Sequence, residues 1–187
     1  MKLPSLHSLF LLAMLPLAAQ AADTVTDPDK PRSLPDEGPV AVSWSDPAQF
    51  SDLRYTHNRW EAAQGDWVRQ LAEHVRKSAT KQLRPGETLQ VNITDITRAG
   101  EYEPWHGISY DHVRIIRDRY PPRMELSYTL YGSDGQVLAQ GDSKLRDFGF
   151  MMGSSPINQT DPLRYEKRMI DDWTRRELGP KRELSSR

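Results

Sequence analysis

The sequence predicts an α+β fold: a mixed, mostly antiparallel sheet of about five strands, with two amphipathic helices packed on one face. Three observations carry this expectation. Two long stretches repeat apolar residues every three or four positions. Several shorter stretches alternate apolar with polar residues. The richest alternating run is interrupted by two adjacent prolines, Pro121 and Pro122, which cannot donate to a β-ladder.

Order is expected from Val40, where VAVSW alternates as a short strand. SDPAQFSDLRYTHN then reads as a connecting loop. The first long helix starts at Asn58 or, because Gly65 weakens a helix interior, at Asp66. Trp60, Ala63, Trp67, Leu71, Val75 and Ala79 form its apolar stripe, and Pro85-Gly86 stops it. ETLQVNITDI, residues 87–96, alternates as a half-buried strand, so strand, helix and strand make a crossover unit of the usual right hand. Residues 110–119 read as a third strand. The proline pair edges a reversal, and residues 123–131 return as a fourth strand. GSDGQ turns the chain again, with Asp134-Gly135 as the hairpin signal, into a fifth strand near 136–146. DFGFMMGSSPINQT is a loop with exposed-looking apolar residues. Asp161 caps the second helix, Pro162 takes its first position, and Gly179-Pro180 ends it.

The 187-residue length suits one domain, expected over 40–178, with a flexible tail over 179–187. Residues 1–21 have the pattern of a signal peptide: Lys2, an apolar core from Leu9 to Leu17, and Ala19-Gln20-Ala21 before the cleavage point. The apolar core is shorter than the ~20 residues a membrane span requires, and no later stretch qualifies. The expected location is therefore the periplasm, with no transmembrane segment in the mature chain. Residues 22–39, with Pro28, Pro31, Pro35 and Pro39 among charges, read as a flexible linker. Lys and Arg number 25 against 26 Asp and Glu, which argues against nucleic acid as a partner. The chain has no cysteine and so no disulfide.

Four stretches, DITRAGEYEPW, YDHVRIIRDRYPPRMEL, KLRDFGFM and DPLRYEKRMIDDWTRREL, occur in that order. Together they resemble a bacterial family of small exported proteins, domain of unknown function 3016, across residues 40–178. The resemblance implies no established catalytic activity and supplies no functional residues to carry over. It does draw attention to Asp95, Gly100, Trp105, the proline pair and Arg146-Asp147. The resemblance also implies arginine in many relatives where this chain has His106, which weakens any role requiring histidine there.

The densest polar cluster lies over 95–114. Tyr102, Trp105 and Tyr110 offer flat apolar faces beside carboxylates, which suits a sugar-like or peptide ligand. Asp95, Tyr102, Trp105, Tyr110 and Arg114 are the candidate binding residues. His106, Asp111 and His112 are a weaker metal-ligand set, because strand geometry sends Asp111 and His112 to opposite faces. No cofactor and no catalytic residue is assigned. The expected function is a non-catalytic binding or accessory protein of the cell envelope, with an envelope protein or peptidoglycan-like ligand as partner. The alternative is an envelope hydrolase or metal-dependent enzyme using the carboxylates and histidines of 95–112. An exposed edge strand is a third route to a partner, since strand addition needs only backbone groups.

Overall fold

The computed structural model describes residues 23–152 and 160–179. The expected leader over 1–21 and the tail beyond Gly179 lie outside the described residues, as does most of the apolar-looking loop after Met152.

Among the described residues the main sheet has four strands in the order β1 (Val40–Trp44), β2 (Thr88–Thr97), β5 (Arg123–Tyr131) and β6 (Val137–Arg146). β1 and β2 run parallel, and the other neighbours are antiparallel. Between β1 and β2 the chain forms α1 (Ser51–Arg54), α2 (Arg59–Ala63) and α3 (Trp67–Thr80). After β6 comes α4 (Arg164–Glu177). A parallel pair needs such a crossover, because its strands cannot be joined by a tight hairpin.

The alternation seen in the sequence sets the layers. Leu89, Val91 and Ile93 of β2 and Met124, Leu126 and Leu130 of β5 are buried on one face. They meet Leu71, Val75 and Ala79 of α3 and Met169, Ile170 and Trp173 of α4 in one core. The two helices are also joined by a polar seam: Ser78 Oγ donates to Asp171 Oδ1 at 2.6 Å and contacts Thr174 Oγ1 at 2.8 Å.

β2 contains a bulge. Ile93 stands opposite Leu126 and Asp95 opposite Glu125, leaving Thr94 as the extra residue. An extra residue shifts the face assignment by one. Ile96 thereby joins Ile93 in the core, and Asp95 turns to the other side of the sheet.

Several expectations are corrected. The anticipated third strand over 110–119 is not part of the main sheet. Only β4 (Arg114–Ile115) is extended, and it pairs with β3 (Glu101–Tyr102) in a separate two-stranded sheet. The reason is chemical: Arg114, Arg117 and Arg119 reach toward buried carboxylates instead of standing along a ladder. The reversal is the turn closed by Tyr120 N donating to Arg117 O, and Pro121 and Pro122 are buried between that turn and β5. The first helix is two helices, divided at Gly65 with φ +81°, which breaks the stripe that joined Trp60 to Trp67. The hairpin needs only one left-handed residue, Gly135 at φ +78°. Leu163, not Asp161, takes the N-cap position of α4; Asp161 Oδ1 accepts from Leu163 N at 2.8 Å in the turn before it, and Pro162 lies in that turn.

From residue 23 onward the Pro-rich stretch is also not a loose linker. Val25 and Leu34 are buried in the core cluster. Leu34 N donates to Val42 O and Trp44 N to Arg32 O, both at 2.9 Å, so the stretch flanks β1. Prolines limit donors but leave two well-placed apolar side chains and enough amides to anchor the segment.

Candidate functional site

The segment between β2 and β5 stands on two buried carboxylates. Asp52, on α1, is 3% exposed. Arg98 Nε donates to its Oδ2 at 2.9 Å and Arg114 Nη2 to the same oxygen at 3.0 Å. Arg98 N adds a backbone bond to Oδ1 at 2.8 Å. Burial pushes the Asp52 carboxyl up, but the two guanidinium groups outweigh it and hold the carboxyl below its ordinary range. Each guanidinium also lies over a ring: Arg98 at 4.1 Å from Trp67 and Arg114 at 4.9 Å from Tyr102.

Glu103 is the second. Arg117 Nη2 donates to Oε2 at 2.8 Å, Tyr120 Oη donates to Oε1 at 3.0 Å, and Arg119 pairs with Oε1. His106 Nε2 lies 2.8 Å from Oε2. Hydrogen bonds from Arg117 first, then from Arg119, His106 and Tyr120, keep this carboxyl far below its ordinary range against the effect of burial.

On this base sits a row of rings. The His57 and Trp105 rings meet edge-on at 5.5 Å, Trp105 and His106 are 6.2 Å apart, and His106 and Tyr110 are 6.5 Å apart. Trp105 is 59% and Tyr110 54% exposed, and Ile108 between them is 89% exposed. Two cross-links fix the loops that carry the row. Asn58 Nδ2 donates to Asp111 O at 2.8 Å, and Thr56 Oγ1 donates to Glu101 at 2.7 Å.

The five candidate binding residues therefore divide. Trp105 and Tyr110 share the exposed row. Tyr102 is buried under Arg114, and Arg114 is committed to Asp52. Asp95 lies apart, accepting from Ser51 N and Ser51 Oγ, both at 2.6 Å, at the start of α1. It borders a cleft of about 310 Å³ that also includes Glu101, Arg123, Glu125, Lys144 and Arg146. The weaker metal set is not assembled. His106 is bonded to Glu103, Asp111 offers its carbonyl to Asn58, and His112 is exposed. Among the described residues no group of three or more His, Cys, Asp or Glu could hold a metal ion.

Sequence reasoning missed Asp52, Arg98 and Glu103 as buried charges, because each sits among other charged residues and no period marks it. The crowding of Arg114, Arg117 and Arg119 within six positions was the available signal of buried acids nearby. Glu166, among Arg and Lys residues on α4, is a further buried carboxylate that its charged neighbours in the sequence conceal. It is 1% exposed, accepts from Ala99 N at 2.6 Å, and among the described residues its Oε2 has no partner.

The family model described as "Protein of unknown function (DUF3016)" matches residues 38–176. The chain belongs to this family. The matched span takes in all of both sheets and nearly all of α4, including the ring row and both buried carboxylates, but leaves out the segment that carries the buried Val25 and Leu34. No curated protein and no solved structure matches the chain. Among the described residues, no helix of this DUF3016 protein is long and apolar enough to cross a membrane.

Proposed function

We propose that this protein is exported to the periplasm, where it acts as a non-catalytic binding or accessory protein on glycan strands of the cell envelope. The observation that carries the reading is the continuous row His57, Trp105, His106 and Tyr110, exposed at Trp105 and Tyr110 and fixed on a charged base. Flat rings in series suit the apolar C–H faces of sugars in an extended polymer. A surface held rigid before binding loses little entropy when it binds. The leader-like residues 1–21 support export. The hydrolase and metal-enzyme alternative draws no comparable support, since Asp95, Asp111 and His112 project to separate partners or to solvent.

The test is co-sedimentation of the mature chain with isolated cell-wall glycan. Trp105→Ala with Tyr110→Ala removes the two largest rings of the row, and binding is expected to fall about tenfold or more. Both side chains are more than half exposed, so the melting temperature should barely change. Undiminished binding by the double variant would refute the role of the row.

A further inference from the structure

The two edges of the main sheet are treated differently. Residues 32–34 lie along β1, with a bridge between Ser33 and Ser43. Among the described residues nothing pairs with the free side of β6. β6 runs ten residues, a long unpaired row of amides and carbonyls. Such an edge is a template for another strand.

We infer that β6 pairs antiparallel with β6 of a second copy of this chain, joining two four-stranded sheets about a two-fold axis at Ser143. The argument is one of register. A two-fold axis relating antiparallel edge strands stands perpendicular to the sheet, so residues that face each other point to the same side. With Ser143 on the axis, Asp142 of each copy faces Lys144 of the other, giving two opposite-charge pairs. Shifting the axis to Asp142 sets Asp142 against its own copy, and shifting it to Lys144 sets Lys144 against its own copy. Like charges directly opposite are destabilising; an axis at Lys144 would also set Asp142 against Arg146, but only the axis at Ser143 gives opposite-charge pairs with no like-charge contact, so charge selects Ser143 over its neighbours. Lys144 already lies 3.3 Å from Glu125 of its own chain, and Asp142 of the copy supplies a second carboxylate. Lys144 is 68% exposed at its side chain and free to reach it.

The ends of the strand agree with this register. Val137 and Leu138 at its start are 51% and 53% exposed, and Phe148 just beyond its end is 70% exposed. Antiparallel pairing brings the start of one β6 to the end of the other, so Leu138 meets Phe148 of the copy. Apolar residues with no cover in one chain thus cover each other in the pair.

Sedimentation equilibrium of the full chain tests this. The expected result is a monomer–dimer equilibrium with a dissociation constant of roughly micromolar order, as befits a small interface. Asp142→Lys alone and Lys144→Asp alone should each weaken association tenfold or more, because each sets like charges opposite. An equimolar mixture of the two variants should associate like the wild type, since every lysine then faces an aspartate. Because the chain has no native cysteine, Ser143→Cys should form an intermolecular disulfide on oxidation. A wild type that stays monomeric at every concentration, or a mixture that associates no better than either variant alone, overturns the inference.

Discussion

Asp52→Asn would leave Arg98 and Arg114 facing an uncharged group in a nearly water-free site. Breaking a buried ion pair from one side costs about 3–5 kcal/mol, and a loss of that order is expected in the denaturant unfolding of the variant. An unchanged midpoint would mean that the two guanidinium groups find solvent instead. Acid should act on the same lock. Asp52 and Glu103 both have depressed carboxyl groups in the fold. Their stabilisation is complete above the ordinary carboxylate range and drains away as pH falls toward the depressed values. Glu166 works in the opposite sense. Burial raises its carboxyl, so its contribution is complete in acid and is lost as pH rises through the raised value. Glu166→Gln keeps an acceptor for Ala99 N and removes the ionisation. Its melting temperature should therefore gain on the wild type as pH is raised from about 4 to about 8. A difference between the two proteins that stays constant over this range would contradict the assignment.

Among the elements, the bulge in β2 has the widest consequences. It lets Ile93 and Ile96 share the core and turns Asp95 toward Ser51, where the carboxylate binds the first amide of α1. α1 is only four residues long and has no side-chain cap from Phe50, the residue before it, so Asp95 supplies from another strand what a local cap usually provides. Asp95→Ala should cost about 1 kcal/mol, the usual range for losing a cap, read by chemical denaturation. A much smaller cost would show that α1 is held by Asp52 and Leu53 alone. The same bulge explains why Asp95 was not legible as a capping residue. Strict alternation says which residues face inward only until an extra residue shifts the count. β1, β2, β5, α3 and α4 were legible because burial on one face imposes a period on the sequence, whereas β6, with only Leu145 buried, was legible from the Asp134-Gly135 turn before it. β3 and β4 were not, because two-residue strands carry no period and here follow the arginines that cross to Asp52 and Glu103.

At the scale of the whole molecule, the fold class came from patterning, but the extent of the body did not. Composition marked residues 22–39 as unable to bury much surface, yet buried Leu34 with its backbone bonds to β1, and buried Val25 with its amide on Ala63 O, anchor the segment. A chain beginning at Gly38 should therefore be clearly less stable than one beginning at Asp23, by several degrees in melting temperature. Equal stability would return the segment to the role of a loose linker. The candidate site was half legible for a related reason. Trp105 and Tyr110 stand out by residue type wherever the chain puts them. Which polar neighbours support the rings and which serve other elements depends on long-range approach, such as Asn58 to Asp111 and Asp52 to Arg114. The functional proposal rests on the exposed rings, and the indole N–H signals of the tryptophans report on it directly. Trp67 and Trp173 donate theirs within the fold, to Ala62 O and Ser143 Oγ, and serve as internal references. When soluble cell-wall glycan fragments are titrated into the isotope-labelled protein, the Trp105 indole signal should shift progressively while those of Trp67 and Trp173 stay in place. A Trp105 signal that does not move at saturating glycan, or equal movement of all three, would contradict a ring-row glycan site.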